Sequence, residues 1–247
     1  MKKLKFFLIL ILLFLISKAY SAQNNENTLE NYDENLQFCK SKNGKKFTNY
    51  ILLSDINNLS LEINNHRKWV KNLFRSAVHR NINIPSKYKK KFKGKLFVNL
   101  LDGSECEFRI TVRIHGDIKD HIEMQDGKMY SSLNVRLNEG NINSIIKFIL
   151  FLPKTRNGDN EIFSSVLYKN LGFISPRTRY LNVKFNGEIN KYIFQEKITK
   201  ELLEHNKLTE GPIIEASQRF VWPEKVNEYF DARFVQGRMI NEAWSTK

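Results

Sequence analysis

The chain contains no G-x-G triplet, which removes both the dinucleotide fingerprint and the glycine-rich loop of protein kinases. It has no G-x-x-x-x-G-K followed by Ser or Thr, and so no Walker-type phosphate cradle. A G-x-S-x-G elbow is also missing, which excludes the usual hydrolase nucleophile turn. Cysteine is scarce: Cys39 and Cys106 are the two present, with no C-x-x-C spacing. They make neither a disulfide framework nor a zinc-binding pair. Acid is in short supply as well, with 26 Asp and Glu against 40 Lys and Arg, a formal charge of +14.

The N-terminus holds the most legible feature. Met1-Lys2-Lys3-Leu4-Lys5 is cationic, and an unbroken apolar run follows from Phe6 to Ile16. The run is shorter than the roughly 20 residues a membrane-crossing helix needs. Ala19 and Ser21 then supply small residues for cleavage. This order is that of a secretory signal peptide over residues 1–21, cut after Ser21. An uncleaved anchor is the alternative, because Lys18 and Tyr20 interrupt the cleavage region. Both place the folded part outside the cytoplasm: secreted, periplasmic or in the cell envelope, touching membrane only through the signal segment. Export permits a disulfide, and the sequence leaves open whether Cys39 and Cys106 pair.

Cleavage would remove Lys2, Lys3, Lys5 and Lys18 and no acid, lowering the formal charge from +14 by four, to +10. Such a balance favours anionic partners. Its densest source is Lys87, Lys89, Lys90, Lys91, Lys93 and Lys95, a run that reads most simply as a solvated loop or strand entry. No nucleic-acid-binding motif accompanies the charge, so nucleic acid is not an expected partner.

Residues 22–35 are rich in Asn and Glu and read as a flexible leader. One α+β domain is expected over 36–247. Leu61, Trp69, Leu73, Phe74, Ala77 and Val78 follow helical spacing between about Ser60 and His79. Lys95–Leu101 and Glu107–His115 flank Asp102-Gly103 as a hairpin. Tyr130–Leu137 and Ile145–Leu152 read as further strands, the second apolar enough to be central. A helix capped by Asp159 or Asn160 runs to Leu171 and Gly172. Arg177–Phe185 and Tyr192–Glu196 flank the Asn186-Gly187 turn, and a short helix spans Thr199–Asn206. Hairpins first, then helix, hairpin and helix give the expected class, α+β.

Isolated chemistry is sparse. His115 and His121, with Asp117 and Asp120 between them, match no structural metal spacing, and no metal site is assigned from them. Glu201 and Glu204 read as a solvated helix face.

Three stretches are more specific. The first is Thr111-Val112-Arg113-Ile114-His115-Gly116-Asp117; the second is Tyr130 to Leu137, carrying Arg136. The third runs from Leu171-Gly172 through Pro176-Arg177 to Asn186-Gly187-Glu188 and Tyr192-Ile193-Phe194-Gln195-Glu196-Lys197-Ile198. Their order and spacing over Leu96–Leu203 resemble the CotH family, the secreted atypical kinases related to spore-coat CotH. The resemblance implies antiparallel hairpins plus helices like the N-terminal part of an atypical kinase-like fold. It also implies ATP with Mg²⁺ or Mn²⁺ at a cleft and phosphoryl transfer to a protein substrate. Arg113, Arg136, Glu196 and Lys197 are the matching positions for phosphate or nucleotide contact, cations neutralising phosphoryl charge and a carboxylate orienting a cation or metal.

The chain departs from the pattern at Ile189, where the family has a tyrosine, and at Asn190-Lys191, where it has a second glycine. The family's catalytic acids lie further downstream, and Asp231 stands alone. The resemblance therefore implies an N-terminal fragment or a divergent member without the C-terminal catalytic part. The residues themselves suggest a different class: a non-catalytic envelope module binding an anionic glycan or scaffold through the lysine run and Trp222 and Trp244.

Overall fold

The computed structural model describes residues 38–40, 46–48, 51–125, 127–217 and 236–241. The signal segment, the leader, Trp222, Asp231 and Trp244 lie outside the described residues. Thirteen strands are described: β1 (Phe38–Lys40), β2 (Lys46–Thr48), β3 (Ile56–Ile63), β4 (Phe92–Leu100), β5 (Glu105–Ile114), β6 (Ile122–Gln125), β7 (Lys128–Ser131), β8 (Leu133–Leu137), β9 (Lys147–Phe151), β10 (Thr178–Phe185), β11 (Glu188–Glu196), β12 (Ile214–Ser217) and β13 (Gln236–Met239). Three α-helices are described, α1 (His66–Ala77), α2 (Asp159–Asn170) and α3 (Lys200–His205).

The strand order β5-β4-β3-β10-β11-β9-β8 returns to β5, because β5 also pairs with β8. The result is a closed, mixed seven-stranded barrel, and strand makes up 43% of the chain. The α+β expectation, and with it the kinase-like N-terminal lobe, is therefore corrected. Its elements were largely right; closure was invisible. Alternation in Phe108, Ile110, Val112 and Ile114 signals one buried face, and that signal is the same whether helices or a barrel wall cover it. The pairings that close the ring, β3–β10, β9–β11 and β5–β8, are non-local.

β5 is long enough to serve two neighbours on one edge. Its first half takes β1 at Cys39↔Cys106, and its second half takes β8 from Ile110↔Leu137 to Ile114↔Leu133. The Cys39–Cys106 disulfide joins the register pair, settling the question the sequence left open. β3 and β10 run parallel, and α2 forms the crossover from β9 to β10.

Leu59, Leu61, Leu96, Val98, Phe108, Ile110, Val135, Phe148, Leu150, Val183 and Phe194 are fully buried in one cluster. Leu59, Leu61 and Ile63 continue a period-two pattern, so Ser60–Ile63 is strand and not the start of the expected helix. Gly94 permits the close β3–β4 approach: a Cβ there would meet the Glu62 carbonyl oxygen at 2.2 Å. From α1, Trp69 packs edge-on against Phe92 and Phe185, with ring centroids at 5.2 and 5.4 Å. Its removal is expected to cost roughly 3–5 kcal/mol.

β9 is buried on both faces. Phe148 and Leu150 join the main core, whereas Ile149 and Phe151 join Ile193 in a second cluster beneath Ile162 of α2. That accounts for its near-continuous apolar sequence.

Candidate functional site

Register decides which expected residues meet. On β11, Tyr192, Phe194 and Glu196 alternate with Ile193 and Gln195, and the first set points into the barrel. Glu196 is 2% exposed and stands at the barrel mouth, away from the β10–β11 turn. Arg177, just before β10, meets it with both prongs of the guanidinium: Nε donates to Oε2 and Nη2 to Oε1, each at 2.8 Å. Its Nη1 donates to the Asn143 carbonyl. Glu196 is thus committed to Arg177, which belongs to the third of the specific stretches but carried no expected contact. The signal was present in Pro176-Arg177 preceding a strand, but only the β10–β11 register shows that Arg177 and Glu196 are partners.

Arg113, Arg136 and Lys197 lie on the outer face. Across the sheet, Thr111 stands opposite Arg136, and Arg136 opposite Lys147. The Lys197 N–H then donates to the Lys147 carbonyl, so the row runs from Arg136 on β8 through Lys147 on β9 to Lys197, just past the end of β11. Arg113 occupies the adjoining row, opposite Asn134. Among the described residues, neither Arg136 nor Lys147 forms an ion pair with a carboxylate. Lys147 was not singled out in the sequence; only the β8–β9 register brings it beside Arg136.

The wall continues past Arg113 to His115. The His115 ring stands perpendicular to Phe151 and His121, with centroids at 5.0 and 5.2 Å. Burial first, then the charges of His121, Arg156, Arg113 and Lys197, push its pKa down to about 3. Arg156 lies over the Phe151 ring, 4.3 Å from its centroid. Burial also lowers the Arg113 pKa, opposed by Asp117, yet a guanidinium stays charged at any physiological pH. Gly116 allows this corner to form. Its φ is +98°, and a Cβ would fall 1.9 Å from His121 Cδ2. His115 and His121 are in ring contact, and among the described residues no three His, Cys, Asp or Glu side chains form a metal-holding group.

The lysine run is partly spoken for. Lys89 pairs with Asp117, and Lys95 with Glu107 at 2.6 Å. Lys87 sits over the Tyr88 ring at 5.2 Å. Arg136 and Lys147 on the wall have no such carboxylate partner among the described residues.

Beside the barrel mouth, a cavity of about 310 Å³ opens between α2, α3, the start of β10 and the Leu53–Asp55 turn. Lys169, Arg177, Arg179 and His205 line it together with serine and threonine hydroxyls, and among the described residues no carboxylate does.

No protein-family profile matches the chain, and no curated protein matches it.

Proposed function

We propose that this chain is an exported β-barrel module that binds an anionic polymer of the cell envelope along its outer cationic wall. The observation carrying this is the placement of Arg136 directly opposite Lys147, with Lys197 next in the row. Like charges facing each other across a sheet destabilise it by roughly 0.2–1 kcal/mol per pair. A polyanion laid across the strands would reverse the sign of that interaction. The basic composition, the signal-like N-terminus and the Cys39–Cys106 disulfide agree with an exported partner of this kind.

Equilibrium binding to fluorescent dextran sulfate, against neutral dextran, tests the proposal. Binding of the sulfated polymer alone, weakening as salt rises from 50 to 500 mM, is the expected result, because exposed charges are screened over about 10 Å at 0.1 M. Equal binding of both polymers would contradict it.

Phosphoryl transfer from ATP, implied by the CotH resemblance, is the second reading. Three of its four expected positions, Arg113, Arg136 and Lys197, lie on one wall, which favours a phosphate-bearing ligand there. A thermal scan with ATP and Mg²⁺ or Mn²⁺ tests it. A ligand at 100 times its dissociation constant adds about 2.7 kcal/mol of stability, and an unmoved transition would rule nucleotide out.

A further inference from the structure

The cavity beside the barrel mouth differs in kind from the wall. Its floor and sides are part apolar, from Leu53, Val166 and Leu202, and part cationic. The cations are not equivalent. Arg177 is neutralised by Glu196 and tied to the Asn143 carbonyl. Arg179 donates from Nη1 to the Leu53 carbonyl and from Nε to that of Tyr180, both neutral acceptors. Among the described residues its charge is therefore anchored by neutral acceptors and meets no carboxylate. Lys169, at the C-terminal turn of α2, has no carboxylate partner among the described residues.

The hydroxyls divide the same way. Ser165 Oγ donates to the Glu161 carbonyl and lies 3.0 Å from Thr178 Oγ1, so those two answer one another. Ser175 Oγ is buried and has no hydrogen-bond partner among the described residues. A buried hydroxyl left unmade costs roughly 1–3 kcal/mol. A rotation about the Ser175 Cα–Cβ bond that turns Oγ toward the cavity would let an oxyanion held by Lys169 and Arg179 accept from it.

We propose that this cavity is a second, separate site, built for the oxyanion end of a small amphiphilic molecule, with Lys169, Arg179 and Ser175 holding the oxyanion. Leu53, Val166 and Leu202 take the compact apolar body. A volume of about 310 Å³ is at the lower end of the ~300–1,000 Å³ typical of small-molecule sites, which suits a single ring or short chain. The shared chemistry is a carboxylate or a phosphate monoester on such a body.

Calorimetric titration with benzoate, phenyl phosphate and benzyl alcohol tests the assignment. At least one of the two anions is expected to bind at millimolar concentration or better, the neutral alcohol not at all. The tighter anion identifies carboxylate or phosphate as the source. Lys169→Gln, a change on the exposed side of α2, should weaken binding at least fivefold, and Ser175→Ala should also weaken it. Arg136→Glu with Lys147→Glu should leave it unchanged, so that failure of the wall and failure of the cavity are told apart. Absence of binding by both anions to folded protein, or binding unmoved by both cavity variants, would overturn the proposal.

Discussion

Glu196 and Arg177 form a two-pronged ion pair at the mouth of the barrel, with the carboxylate side chain 2% and the guanidinium side chain 12% exposed. Removing either partner strands the other charge out of water. Glu196→Ala or Arg177→Ala is expected to cost roughly 3–5 kcal/mol, while Arg177→Met with Glu196→Leu should recover most of it. Urea denaturation of the three variants checks this. Equal loss in singles and double would show that the pair contributes through some other contact.

The disulfide ties the β1–β2 pair to β5 across a separation of 67 residues. Closing a loop of that length removes unfolded-state entropy worth about 4 kcal/mol in the chain-entropy picture. Cys39→Ser with Cys106→Ser is expected to lose stability of that order. Denaturation midpoints with and without reductant give the same comparison without mutation.

How far the fold was legible depended on the range of the signal. The Asn186-Gly187 turn between apolar runs marked the β10–β11 hairpin, and the Asp102-Gly103 turn marked β4–β5. Both are local and both were found. Thr178–Phe185 pairing in parallel with β3 brings together residues more than a hundred positions apart, and no local pattern encodes that choice. The same holds for the site. Arg113 and Arg136 were legible as strand cations, but facing direction depends on register. One residue separates Glu196, the last of β11 and turned inward, from Lys197 on the outer wall. Lys147 lay within the apolar stretch Ile145–Leu152 and drew no role until β8 was placed beside it.

His115 makes stability depend on pH. Its pKa falls from an ordinary 6.5 to about 3 in the folded chain, chiefly through burial. Below 6.5 the unfolded state therefore binds a proton that the folded state refuses. Stability from this group is fully present above pH 6.5 and declines as the pH falls toward 3, by up to about 1.4 kcal/mol per unit. His115→Phe should flatten that part of the curve. An unchanged slope between pH 6 and 4 would place the titration elsewhere.

His205 gives the cavity a pH signature of its own. Its pKa is lowered by burial and by Arg177, with Lys169 adding in the same direction and Glu196 opposing. A bound anion would favour the protonated imidazole, so benzoate should bind more tightly as the pH drops from 7.5 to 5.5. His205→Gln should remove the dependence; a dependence that survives it would exclude this histidine as the cause.

The most direct test of the outer wall is charge reversal at its facing pair. Arg136 is exposed, and Lys147 lies opposite it at the start of β9, so Arg136→Glu with Lys147→Glu should leave the fold intact. Binding to dextran sulfate at 0.1 M salt would be measured for the wild type and this double variant. A loss of at least tenfold, with the thermal midpoint unchanged, is what a polyanion-binding wall predicts. Equal affinity in the two proteins would contradict it.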